Sequence, residues 1–273
     1  MKKILSALLV VLSIGVARAQ VVVAPTILFM SDQSRFGTFV VMNRSNTPQE
    51  ITISFKFGYP ASDSLGNVKM QYDDSLMARE HSCQPWLRGF PQKFIVNPGQ
   101  QQVVRLLVTP PANIADGEYW TRLITSSTPQ AKTIDTVRTG ITANITFVLQ
   151  QVTTVLYKKG YVNTSVEIPR MLIMPDSASM NLLAFVTRGG NSPYFGKMSV
   201  VVKDRAGNSV YSNQEVLAIY PSTMVVKFAI PRADLSSGKY SAEVKLESER
   251  NDVPPEDLLR VPTVQKSLTF DVK

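Results

Sequence analysis

Apolar and polar residues alternate at period two through much of the chain, and the longest such run is Gly140 to Tyr157, GITANITFVLQQVTTVLY. Ile141, Ala143, Ile145, Phe147 and Leu149 stand at odd positions while Thr142, Asn144, Thr146 and Gln150 interleave, with Val148 the single breach. One apolar edge and one polar edge at that spacing predict a β-strand. No Gly or Pro interrupts Ile141 to Tyr157, and the β-branched residues and Phe suit a pleated ladder, so the strand is expected to be unusually long. Upstream, Ser126 to Thr139 (SSTPQAKTIDTVRT) is polar, contains Pro129 and has little to bury, which predicts a mobile loop.

Shorter runs of the same kind precede it. Thr38–Met42, Ile51–Phe57, Lys93–Val96, Gln102–Val108 and Tyr119–Thr125 read as strands, punctuated by turn residues at Asn43–Gln49, Asn97–Gly99, Pro110–Pro111 and Asp116–Gly117. About seven strands at this spacing is the count of an immunoglobulin-like sandwich. Ala61 to Arg88 is the least regular part and reads as a long connection or small insertion.

After Tyr157 the rhythm restarts. Lys158-Lys159-Gly160 reads as a linker, followed by strands at Ser165–Ile168, Met180–Thr187, Met198–Asp204, Gly207–Tyr211, Met224–Ile230, Tyr240–Glu247 and Ser267–Val272. Asp204–Asn208 and Ser236–Gly238 read as turns, and Glu247–Pro262 as a charged surface loop. The fold class expected is therefore all-β: two immunoglobulin-like β-sandwich domains, residues 20–157 and 158–273, with no helix-period segment of useful length. Residues 1–19 stand outside the fold. Lys2 and Lys3 precede an apolar stretch, Ile4–Val16, too short for a comfortable membrane span, and Ala17-Arg18-Ala19 offers small residues where a signal peptidase reads. The expectation is export, with cleavage after Ala19 and no membrane span later in the chain.

Charge and chemistry narrow the function classes. The formal net charge of +8 falls to +5 without Lys2, Lys3 and Arg18, and the remaining basic residues are not clustered, which argues against nucleic-acid binding. Cys83 is the only cysteine, so no internal disulfide staples the fold; it reads as a half-buried residue near Trp86. His81 is the only histidine, which rules out a multi-histidine metal site and leaves no oriented partner for a His81–Cys83 nucleophile pair. Arg188-Gly189-Gly190-Asn191 lacks the spacing of a phosphate loop, and Asp73-Asp74 with Glu247, Glu249 and Asp252 fit no calcium-loop pattern. No enzyme chemistry, cofactor or metal is expected.

Several segments of the first half, in order, resemble the periplasmic pilus-assembly chaperones: Ala24–Phe29, Val41–Asn46, Trp86–Phe94, Asn97–Arg105 and Asp116–Leu123. The resemblance covers Ala24 to Tyr157, and the second half only in general character. It implies two immunoglobulin-like domains set at an angle, a periplasmic location, and a partner that is a subunit of a surface fibre, with an outer-membrane usher as a further partner. It also implies that the strand 140–149 completes the subunit's unfinished sandwich, with Ile141, Ala143, Ile145, Phe147 and Leu149 as the donor residues; whether the same edge supports self-association when no client is bound is left open by the sequence. Burying one large apolar side chain contributes roughly 1.5 to 3 kcal/mol, so an alternating row supplies a substantial hold. The family anchors the subunit's terminal carboxylate with an Arg in the first strand and a Lys late in the donor strand; here those places hold Thr26 and Val152. Arg105, Arg122 and Lys158, with Lys159, are the candidates for a relocated anchor. The alternative from another class is a structural or adhesive two-domain envelope module whose long strand is paired within its own fold.

Overall fold

The computed structural model describes residues 21–130 and 147–273. The leader 1–19, its cleavage site and the expected donors Ile141, Ala143 and Ile145 lie outside the described residues. The first half comprises β1 (Val21–Ala24), β2 (Ile27–Ser31), β3 (Phe36–Asn43), β4 (Gln49–Lys56), β5 (Tyr59–Ser62), β6 (Val68–Gln71), the short helix α1 (Ser75–His81), β7 (Leu87–Phe90), β8 (Lys93–Val96), β9 (Gln101–Val108), β10 (Gly117–Pro129) and β11 (Leu149–Lys159). The second comprises β12 (Thr164–Pro175), β13 (Ser179–Gly190), β14 (Tyr194–Lys203), β15 (Ser209–Ile219), β16 (Thr223–Pro231), β17 (Gly238–Glu247) and β18 (Val264–Val272).

Each half is a two-sheet sandwich. In the first, a sheet ordered β1-β3-β9-β7 faces one ordered β2-β11-β10-β4-β8, and in the second β12-β13-β16 faces β15-β14-β17-β18. The alternation seen in the sequence does the packing. Phe39 and Val41 of β3, Val104, Leu106 and Val108 of β9 and Val155 and Tyr157 of β11 point inward to one core, and Leu182, Val200, Phe228 and Val244 help to build the other. With no disulfide among the described residues, this burial is what holds each sandwich together. Asn43 closes one end of the first core: its amide nitrogen donates to the Val96 and Thr47 carbonyls, both at 2.8 Å, and its oxygen accepts from the Ser45 amide at 2.9 Å. That satisfies a fully buried polar side chain where a turn must be fixed.

Five local expectations change. Ser126 to Pro129 is not loop: β10 runs on to Pro129, because these residues pair with Gln49–Thr52 of β4 on one side and, through Ser126 and Ser127, with Gln150 and Leu149 on the other. A polar sequence extends the strand here because the β4 ladder pairs it throughout and the β11 ladder joins at Ser126 and Ser127. The strand expected from Ile141 is described only from Leu149, and Phe147 and Val148 precede it without ladder pairing. Lys158 and Lys159 are the end of β11, opposite Glu118 and Gly117, and the chain turns at Gly160. Gly160 has φ +55, and a Cβ there would meet the Asp116 carboxylate, so glycine is required on both counts. The irregular segment 61–88 holds the β5–β6 hairpin and a real helix, α1, whose N-cap Asp74 accepts from the Leu76 and Met77 amides. Cys83 is fully buried rather than half-buried, and burial holds its thiol well above the ordinary range.

A third apolar cluster joins the halves. Phe57, Tyr59, Trp120 and Leu156 from the first meet Phe195 and Tyr220 from the second, and all are buried. The β5–β6 hairpin also crosses over: Ser62 Oγ accepts from the Val225 amide at 2.7 Å, and Lys227 donates to Asn67 Oδ1 at 2.6 Å.

Candidate functional site

The start of β11 is a half-paired edge. On one side Leu149 to Thr153 pair with Ser127 to Leu123 of β10. On the other, β2 joins in parallel register only from Thr154, opposite Ile27, to Lys158, opposite Ser31. Leu149 to Val152 therefore have no strand on that side among the described residues. Local sequence explains the gap: the chain leaves β1 at Ala24-Pro25, Pro25 offers no N–H to a ladder, and only its carbonyl reaches Thr153 Oγ1, at 3.4 Å.

The apolar residues at this edge are uncovered. Phe147 is 80% exposed, Leu149 41% and Val152 45%. Leu149 lies on the face that continues through Thr153 into Val155 and Tyr157, both fully buried in the first core. The row of odd positions thus runs out of a packed core into solvent along one strand, and this is the pattern a partner sandwich accepts when it gains a strand.

The four candidate cations occupy different places. Arg105 is exposed on the outer face of the other sheet, flanked by Thr38 and Phe90, and does not approach β11. Arg122, in β10 opposite Thr154, is buried between the halves. Its Nε donates to the Gly58 carbonyl at 2.9 Å, its Nη1 donates to Thr154 Oγ1, and its guanidinium lies 4.9 Å from the centroid of the Tyr220 ring. The Thr154 amide donates to the Thr26 carbonyl at 2.9 Å, so Arg122 sits beside the place where the resemblance expected an arginine in the first strand. Lys158 faces the second half, where it donates to the Asp257 carbonyl at 2.7 Å and carboxylate at 3.2 Å and lies 4.8 Å from the Phe29 ring centroid. Lys159 pairs with Asp32 at 2.7 Å. Hydrogen bonds from Lys159 and Tyr157 hold the Asp32 carboxyl below its ordinary range.

Sequence reasoning missed the polar hinge around Glu118. This carboxyl is 2% exposed, contacts Ser192 of the second half, and is pushed up to about 7 by burial. A lone Glu beside Asp116-Gly117 reads as turn decoration, and no local signal marks it as buried. His81 stacks on Trp120 with ring centroids 4.8 Å apart, while Cys83 belongs to the first core, so the two do not form a catalytic pair. Asp74 is spent on the α1 cap and on accepting the Tyr59 hydroxyl at 2.6 Å, and no metal-holding cluster occurs among the described residues. Surface cavities of about 430 and 600 Å³ flank the β5–β6 hairpin on the second half, away from the β11 edge.

No family model matches the chain, and no curated protein matches it. Solved structures do. The YadV chaperone superposes with a TM-score of 0.50 at 10% identity, over 92% of this chain and 100% of its own. The Pseudomonas aeruginosa CupB2 chaperone gives a TM-score of 0.50 at 12% identity, over 92% of this chain and 100% of its own. What is shared is the fold, an all-β pair of sandwiches carried through almost the whole of both chains.

Proposed function

We propose that this chain is a periplasmic assembly chaperone that holds a subunit of a surface fibre by lending it the edge of β11 and the residues just before it. The observation that carries this reading is the edge itself. Leu149 to Val152 are paired on one side only, with Phe147, Leu149 and Val152 exposed beside them. A monomer that kept such an edge for no purpose would carry an aggregation liability, whereas a subunit lacking one strand would gain both the ladder and the apolar row. In the sequence, Ile141, Ala143 and Ile145 precede Phe147 at the same odd spacing. The fold shared with the YadV and CupB2 chaperones supports the reading by analogy of architecture.

Arg122 is the anchor we assign for a client's terminal carboxylate, since its charge stands between the halves near Thr26, with Nε and Nη1 held in place by Gly58 and Thr154. Arg105 faces away and Lys158 is engaged by Asp257. An outer-membrane usher as second partner, and self-association through the β11 edge in the absence of client, belong to the same reading. So does a division into two domains, made in the sequence at residues 157 and 158; the two separate cores support it, with β11 carrying the first domain on to Lys159 before the turn at Gly160. Export with cleavage after Ala19 is also part of it; no described helix is long and apolar enough to cross a membrane. No catalytic step, cofactor or metal is invoked.

The test is the double change Phe147→Thr with Leu149→Thr, made in the native host. Both side chains are exposed, so each change alters fold stability by no more than about 0.5 kcal/mol. A fibre subunit recovered with the native chain and lost with the variant, at an unchanged urea midpoint, supports strand donation. An unchanged set of partners, or a collapse in stability, makes β11 an ordinary sandwich strand.

A further inference from the structure

Glu118 takes no part in the β11 edge, yet it ties the two halves together. It lies in β10, its amide donates to the Asn191 carbonyl at 2.9 Å, and its Oε2 is in hydrogen-bond contact with Ser192 Oγ, both of the second half. Its Oε1 is buried without a partner among the described residues. Ser192 Oγ also lies 3.2 Å from the Pro193 carbonyl oxygen. A hydroxyl has one proton to donate, so an ionised Glu118 and the Pro193 carbonyl compete for it. A protonated Glu118 removes the competition: its own O–H donates to Ser192 Oγ, and the serine proton goes to Pro193.

The charged groups around this contact are committed elsewhere. Lys158 is the register partner of Glu118 on β11, but its ammonium is turned toward Asp257, whose negative charge works against ionisation of Glu118 as the lysine works for it. Arg188, on β13, donates to the Ser192 carbonyl at 2.9 Å and to that of Gly190 at 3.1 Å. Asp116, two residues away, accepts the Tyr161 amide at 3.0 Å. Cys83 from the segment after α1 and Tyr220 from the segment before β16 stay neutral, because burial and the charge of Glu118 push both upward.

We propose that Glu118 and Ser192 form a proton-operated latch between the two sandwiches, closed when the carboxyl is protonated and loosened when it ionises. The latch belongs to the free chain and does not rest on the identity of any client. Burial raises Glu118 from its ordinary 4.5 to about 7, outweighing the Ser192 hydrogen bond, which by itself favours the carboxylate. A group whose pKa is raised in the closed form favours that form at low pH. The closed-to-open ratio should therefore fall by up to about tenfold per pH unit between those two values and level off above them.

The experiment reads the protection of the Glu118 amide against hydrogen exchange, relative to the intrinsic rate at each pH, because its acceptor Asn191 is on the other half. Expected is a fall of about tenfold per pH unit on approach to pH 7, while the Val104 amide in the first core keeps its protection. In Glu118→Gln the side chain is neutral and donates to Ser192 Oγ at every pH, so protection at position 118 stays high and flat. Protection that is flat in the native chain, or that falls in Glu118→Gln as it does in the native chain, overturns the latch. A carboxyl carbon titration of Glu118 in the unaltered protein decides independently of how the variant folds. A midpoint near the ordinary glutamate value overturns the proposal, and one close to neutrality supports it.

Discussion

Trp120 and Tyr220 meet with ring centroids 5.0 Å apart and planes tilted by 56°, although one lies in β10 of the first sandwich and the other just after β15 of the second. Each is 1% exposed. Phe57 stacks on Trp120 at 5.7 Å, and Phe195 meets Tyr220 edge-on at 5.9 Å, so the junction is a small aromatic core in its own right. This packing joins the sandwiches, and the Glu118–Ser192 contact and the β5–β6 hairpin add further contacts between them.

Removing one side of that core should loosen the junction. Tyr220→Ala leaves a cavity beside Trp120 and is expected to cost on the order of 3 kcal/mol. The indole emission of Trp120 should shift to the red as water reaches it. Urea unfolding followed by fluorescence, with Trp86→Phe as background, checks both; an unchanged emission maximum would show that the rings pack independently.

Arg122 and Arg105 should separate cleanly in client retention. A charge-assisted hydrogen bond contributes about 1.5 to 3 kcal/mol, so Arg122→Gln is expected to lower retention of a bound subunit by roughly tenfold or more. Arg105→Gln, on the outer face, should leave retention within about twofold. The fraction of subunit retained through a graded salt wash measures the difference, and equal losses would remove Arg122 as the anchor.

The hairpin contact has a local readout. Ser62 Oγ accepts the Val225 amide at 2.7 Å, on an edge of β16 that no other strand covers among the described residues. Ser62→Ala removes a single hydrogen bond worth about 0.5 to 1.5 kcal/mol and should speed exchange of the Val225 amide by up to about tenfold. Amides of β13 that pair with β16 should not change.

Asp32 sets part of the acid limit. Its carboxyl is held below the ordinary 3.8 by hydrogen bonds from Lys159 and Tyr157, against a smaller opposing effect of burial. A depressed folded-state pKa contributes stability that is fully present above the unfolded value and lost as pH falls through the folded one. Between about pH 5 and about pH 3 the native chain should therefore lose more of its urea midpoint than Asp32→Asn does. Parallel curves would assign the acid limit to other groups.

Period-two alternation made most strands legible before any coordinates, because a half-buried strand writes its two faces into successive residues. Lys93–Val96 matches β8 residue for residue, and Gln102–Val108 differs from β9 by one. Ser126–Pro129 was illegible because the β4 ladder throughout, joined by β11 at Ser126 and Ser127, holds its backbone without apolar side chains. Helix α1 escaped notice because seven residues with none buried carry no apolar stripe; its cap at Asp74 is the local signal that was there to find.

By itself the sequence determined two sandwiches without disulfides, the odd-position row that ends in Phe147 and Leu149, and the absence of a multi-histidine site, since these depend only on residue type and local spacing. Tertiary structure alone decided that β2 begins to cover β11 at Thr154, which leaves Leu149 to Val152 open. It decided that Arg122 lies between the halves while Arg105 faces solvent, and that Glu118 is buried against Ser192. Those outcomes depend on register and on contacts between residues tens of positions apart, such as Glu118 with Ser192. No local pattern encodes which partner a strand or a charge will find across that distance.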